Sequence, residues 1–267
     1  MRALIYIMTP VLILTFFLAS RFVTWEKLKG VDRKALKHQI DGTQLLRGGK
    51  NQKAITALTK AIEIEPKYAE AYVKRGLAYY YLARYKEAID DYTQTLSLNR
   101  FLADAYARRG DAYRALNDVP RAIADYTASL ENRPTAIAYH NRGRAYYQKF
   151  LISDTADETL KLALDDFEKA IEMQPRFAVA YLSRGDIYGH LKQQESQESD
   201  YSHALDLLTD AIENWQNESH ELILIYLWRA VAYEKNNHTD KAQNDIKKIY
   251  ELFAQFYLKK IRISDIL

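Results

Sequence analysis

Cysteine is missing from all 267 residues, which excludes disulfides, thiolate nucleophiles and cysteine-held metal. The absence says little about compartment, because it suits an oxidising space and many cytosolic proteins share it. A dominant charge is missing too. With 38 basic and 35 acidic side chains the formal net charge is only +3, too little to point to nucleic acid. The six histidines, His38, His140, His190, His203, His220 and His238, contain no His-x-x-x-His pair, so a metal site is not supported. No phosphate loop and no nucleophile elbow is present, and no catalytic constellation replaces them.

What the chain does contain is a recurring cluster, Tyr-x-x-Arg-Gly-x-x-Tyr, opening at Tyr72, Tyr106, Tyr139 and Tyr181. Its glycines are Gly76, Gly110, Gly143 and Gly185, and a weaker copy centres on Gly42, giving first spacings of 34, 34 and 33 residues. A fixed period of this size marks a solenoid, whose repeats must stack on neighbours to bury their apolar faces. The product is an extended surface, which favours binding over catalysis. Twelve residues after three of the glycines comes an alanine, and four further on a large side chain: Ala54 with Leu58, Ala88 with Tyr92, Ala122 with Tyr126. Pro66, Pro134 and Pro175 close repeats, the last after Ala163, Phe167 and Ala170.

This pattern resembles the tetratricopeptide repeat family. The resemblance implies an all-α, right-handed α-solenoid of about six helix-turn-helix repeats over 35–256: 35–68, 69–102, 103–135, 136–177, 178–222 and 223–256. The last is degenerate, with Tyr226, Arg229, Ala230 and Tyr233 standing for the cluster. Tyrosines seven apart share one helix face, so Tyr72, Tyr79, Tyr106, Tyr113, Tyr139, Tyr146, Tyr181, Tyr188, Tyr226 and Tyr233 are predicted to be core, with Tyr92 and Tyr126 beside them. The repeated Arg75, Arg109, Arg142, Arg184 and Arg229 are read as stems lying along a helix contact, with heads that reach water or a carboxylate. The doubled acids Asp90–Asp91 and Asp165–Asp166 read as solvated surface. A segment at 257–267, continuing the apolar pattern of Ile249, Leu252, Phe253, Phe256, Tyr257 and Ile261, is placed to cap the solenoid.

The amino-terminal residues read differently. Ala3 to Ala19 form an apolar run broken by Thr9, Pro10 and Thr15, and Phe22, Val23 and Trp25 extend it. That is about the 20 residues a membrane-spanning helix requires. Small residues are poorly placed for signal cleavage, since Phe17 and Leu18 precede Ala19 and Ser20 by two positions. Residues 1–25 are therefore predicted as an uncleaved single-pass anchor, followed by a linker at 26–34. The basic residues after the run favour repeats on the cytoplasmic side, whereas the look of an export signal favours the other side; both stay open.

In the tetratricopeptide family the first helices of successive repeats line a groove for a partner peptide. The resemblance places Lys74, Arg108, Asn141 and Ser183 there, two residues after each opening tyrosine, with Asp111 and Arg144 just past their glycines. Two readings stand: Lys74, Arg108 and Arg144 hold an acidic or carboxylate-ended peptide, or they are surface cations paired along their own helices, as Arg108 with Asp104. The family's chaperone clamp is not reproduced, with Gln39, Thr43, Lys74 and Asp104 at four of its positions and only Arg108 matching. Gly143 to Ala163 spans 20 residues and Gly185 to Ala204 spans 19, against 12 elsewhere. The extra residues either add a turn to each helix or form two loops, one presenting Phe150, Leu151 and Ile152 to a partner. The function this implies is a membrane-tethered scaffold for a partner protein, with no catalysis, cofactor, nucleic acid or small-molecule substrate. Its alternatives are an exported soluble adaptor and an accessory subunit of a membrane complex.

Overall fold

The computed structural model describes residues 31–152, 156–215 and 220–258. Twelve α-helices and no strand occur among them: α1 (Arg33–Arg47), α2 (Asn51–Ile64), α3 (Ala69–Tyr81), α4 (Tyr85–Leu98), α5 (Ala103–Ala115), α6 (Val119–Asn132), α7 (Ala136–Ile152), α8 (Ala156–Met173), α9 (Ala178–His190), α10 (Gln194–Glu213), α11 (His220–Lys235) and α12 (Thr239–Leu258). The anchor expected at 3–25 lies outside the described residues, as does 259–267 of the capping segment. No helix among the described residues is long and apolar enough to cross a membrane. Each odd helix packs on the even helix that follows it, giving six hairpins. The chain divides into two compact units, one ending at Arg100 with α1–α4 and one beginning at Phe101 with α5–α12.

Five of the hairpin turns are made the same way. Gly49, Ala83, Asn117, Lys192 and Asn237 all have φ between 56 and 70°, the left-handed conformation that ends a helix. The next residue's N–H then reaches back five positions, as Arg84 donates to the Tyr79 carbonyl and Asp118 to that of Tyr113, each at 2.9 Å. Glycine and asparagine suit the position. Ala83 and Lys192 occupy it against their preference.

Within a hairpin, the two helices touch where a small residue meets a large one. A Cβ added to Gly76 would lie 2.8 Å from the Tyr92 ring, and one on Gly143 would lie 2.8 Å from Phe167. Only glycine lets these rings, both 0% exposed, lie flat on the facing helix. Burying each ring contributes about 1.5–3 kcal/mol. In α11 and α12 Ala230 stands at the glycine's place and Ile246, 40% exposed, at the ring's.

The residue before each small one is the repeated arginine, and the residue before each large one is an aspartate. They meet through two hydrogen bonds of 2.6–2.8 Å each: Arg75 with Asp91, Arg109 with Asp125, Arg142 with Asp166, Arg184 with Asp200 and Arg229 with Asp245. Each guanidinium also lies 5.3–6.0 Å from the centroids of the two tyrosines of its cluster. Arg75 and Arg142 extend further, to Thr59 and Thr127 of the preceding repeat. Burial pushes the Asp91 and Asp166 carboxyls up, and the facing guanidiniums pull them part way back.

Three expectations are corrected here. Asp91 and Asp166 are buried partners of arginines, and only Asp90 and Asp165 of each doublet face water. The ten cluster tyrosines are half-buried flanks of the guanidiniums, while Tyr92 and Tyr126 form true core. The second insertion between helices does not exist: Arg184 and Asp200 keep the spacing of Arg75 and Asp91, and Tyr201 sits on Gly185. Gln197 holds the alanine position, and any side chain on Gly189 would collide with its amide. The extra residues belong to the 20-residue helix α10, which begins with the polar stretch Gln194 to Asp200. The first insertion does lengthen both its helices by a turn, to 17 and 18 residues against 13 and 14 in α5 and α6.

Two stability outcomes follow. Arg184→Ala strands Asp200, whose side chain is 7% exposed, and is expected to lower unfolding stability by about 3 kcal/mol, with Arg184→Met/Asp200→Leu recovering most of it in urea titrations. Ala83→Gly relieves the left-handed alanine and is expected to stabilise by about 0.5 kcal/mol in the same assay.

Candidate functional site

In the second unit the first helices are α5, α7, α9 and α11, and residues three apart on each share a face. The position two after the opening tyrosine holds Arg108, Asn141, Ser183 and Trp228; three further on stand Asp111, Arg144, Asp186 and Val231. Two depressions form along these residues. One, of about 330 Å³, is lined by Arg108, Asp111, Asn141, Arg133 and Ile137. The other, of about 270 Å³, is lined by Arg144, Ser183, Asp186, Leu151, Trp228 and Lys235. The structure thus brings Arg108 together with Asn141, and Arg144 with Ser183. Lys74 is half-buried on α3 of the first unit.

Asp111 is the electrostatic centre of the first depression. Burial raises its pKa, against the opposing effects of the Tyr126 hydroxyl, which donates at 2.7 Å, and of Arg114, Arg108 and Arg144. Asn141 donates to the same carboxylate oxygen at 3.4 Å. Asp104 pairs with Arg133 at 2.5 Å, replacing the Arg108 partner expected for it. Arg108 is left to the neighbourhood of Asp111.

The second depression repeats half of this arrangement. Asp186 accepts from the Tyr201 hydroxyl at 2.6 Å and pairs with Lys235 at 2.5 Å. Between the two acids, Arg144 occupies the equivalent position and Phe167 the equivalent of the tyrosines. Ser183 is held from below: its Oγ lies 3.1 Å from Nε2 of His140, a ring packed between Phe167 and Phe177 at 5.6 and 5.1 Å. Burial first, and Arg144 second, push the His140 pKa down to about 3, so the ring is neutral at ordinary pH.

Phe150, Leu151 and Ile152 form the end of α7 instead of a protruding loop. Phe150 stacks on Tyr147 and meets His190 edge-on at 5.2 Å, while Leu151 and Ile152 are each 57% exposed. The failed chaperone clamp has a local cause as well. Gln39 is buried, and its amide donates to Thr43 and Glu70. Sequence reasoning missed Trp228 and Asp186, although both follow from rules it already used: two residues beyond Tyr226, and one beyond Gly185.

Family models match the chain where the repeats are most regular. One described as "TPR repeat" covers 42–82, and one described as "Tetratricopeptide repeat" covers 73–136 and 107–149. Similar solved structures include MamA from Desulfovibrio magneticus RS-1, at 19% identity and TM-score 0.60, covering 68% of this chain and 98% of that one. The type IV pilus biogenesis factor PilW matches at 17% identity and TM-score 0.60, over 83% and 94% of the two chains. A tetratricopeptide repeat protein from Parabacteroides merdae ATCC 43184 matches at 20% identity and TM-score 0.61, over 85% and 82%. No curated protein matches significantly. These likenesses are likenesses of fold, and they agree with the repeated hairpins on either side of the matched segments. The chain carries tetratricopeptide repeats, which the family models match over 42–149.

Proposed function

We propose that the chain is a membrane-tethered scaffold that binds an acidic or carboxylate-ended segment of a partner protein on the first-helix face of its second unit. Repeat proteins of this family are in general interaction scaffolds without chemistry of their own, and the stacked hairpins within each unit offer a surface suited to that role. The observation that carries the acidic preference is a local charge imbalance: three guanidiniums, Arg108, Arg114 and Arg144, act on one largely buried carboxylate, Asp111. A carboxylate from outside would relieve that imbalance through charge-assisted hydrogen bonds, with Asn141 and Ser183 as neutral partners. Toward α11 the lining turns apolar at Leu151, Trp228 and Val231, which suits an apolar side chain next to the acidic one.

The tether rests on residues 3–25, whose apolar length and poor cleavage pattern match an uncleaved anchor. Function is read from the site and the anchor together, since the fold alone names no partner.

Two experiments test the proposal. Native protein extracted in mild detergent is expected to carry its partner, and Arg108→Glu/Arg144→Glu should weaken capture of that partner by about tenfold or more at unchanged helicity. Equal capture by the variant would overturn the acidic preference. Mass spectrometry of the same sample should find Met1 to Trp25 intact in the membrane fraction. A mature start near Ser20 or Arg21, with the protein soluble, would establish the exported adaptor instead.

A further inference from the structure

The rows that stack one repeat on the next end differently at the two ends of the chain. Five residues after the paired aspartate stands a large apolar side chain: Leu130, Ile171 and Leu205, with Ile62 at the matching place in α2. Leu130, Leu205 and Ile62 are 6%, 9% and 8% exposed. Ile62 packs with Ala71 of α3, and Leu205 with Ala232 of α11, so the following first helix is what covers the row. In α12 the same position is Tyr250, which is 72% exposed, flanked by Ile246 at 40% and Phe253 at 43%. On α11, Leu227 is 46% exposed, whereas its counterpart Leu182 on α9 is 3% exposed and packs in the cluster that Trp228 joins. Among the described residues, the inner side of α12 packs through Leu252 and Ile249 against Leu222, Ile223 and Tyr226.

The opposite end is finished with polar groups. Where α3 turns Ala71 and Ala78 toward the preceding hairpin, α1 carries Lys37 and Gln44, both exposed. Head-to-tail stacking of two copies would set these against Leu227 and Tyr250 and desolvate them without partners. The surface that matches the open end is the open end itself.

We infer that two copies of the chain pair through this end, α12 against α12 across a two-fold axis. The contact continues the repeat-on-repeat interface of the interior, using the same positions that bury apolar side chains there. A two-fold contact needs one self-complementary patch, and a contiguous exposed apolar surface with aromatic residues is the composition such contacts favour. This pairing is independent of what the arginine-lined depressions bind.

The absence of cysteine makes the test direct. The full chain carrying Tyr250→Cys, in mild detergent, is expected to give a disulfide-linked dimer under gentle oxidation. Tyr81→Cys, at a site 60% exposed on α3, is expected to stay mostly monomeric. Tyr250→Glu should convert the native chain from two copies to one by analytical ultracentrifugation, with its helical circular dichroism retained. Equal crosslinking at both sites together with a one-copy native mass would overturn the inference. So would a one-copy mass in which deleting 259–267 speeds thiol labelling at Tyr250→Cys, because the chain's own carboxyl-terminal segment would then be the cover.

Discussion

A forked arginine–aspartate pair, set between two tyrosine rings, is the contact on which the rest of this structure depends. Five hairpins carry it, and in each the guanidinium makes two hydrogen bonds to a carboxylate on the opposite helix. The two bonds fix rotation and register together, which a single point contact would not. Once the pair is formed, the next residue on each helix is brought into contact, so the small residue must meet the large one. The same pair is costly in isolation. Aspartates only 5–8% exposed would be expelled from the hairpin without their partners.

This constraint accounts for how the chain absorbs irregularities. In the fourth hairpin eight residues enter between the arginine and the aspartate, and two helical turns keep Arg142 on Asp166 and Gly143 under Phe167. In the fifth, Gln197 takes the place of a core alanine and Gly189 vacates the space it needs. In the sixth, Ala230 and the exposed Ile246 take the small and large places while Arg229 and Asp245 stay joined. Side-chain volume is negotiable at each site, provided that the ionic register is kept.

The candidate binding face is a by-product of the same register. With each first helix locked against its second, the residues on its other side fall into rows, and the rows differ in character from helix to helix. Arg108, Arg114 and Arg144 act on a half-buried acid, Asp111, at one end, and Trp228 and Val231 make the other end apolar. The Tyr126 and Tyr201 hydroxyls donate to Asp111 and Asp186, and Phe167 stands at the equivalent place in the hairpin of Arg144.

The period and the hairpin count were legible in the amino-acid sequence, because close helix packing requires small residues at fixed spacing. So was the anchor hypothesis, which rests on the apolar length of residues 3–25 alone. The five aspartates were not recognised as partners of the five arginines, since they lie 16 or 24 residues away on another helix and a charge on a helix looks solvated until its neighbour is placed. For the same reason the alanine pattern misaligned the fifth hairpin: Ala204 fits the motif, but the ion pair of Arg184 with Asp200 decides the register. The tertiary structure alone decided which charges are buried, which cations share a carboxylate, and which apolar row, at α12, is exposed among the described residues. Burial and pairing are properties of a residue's surroundings, and those exist only once the helices have packed.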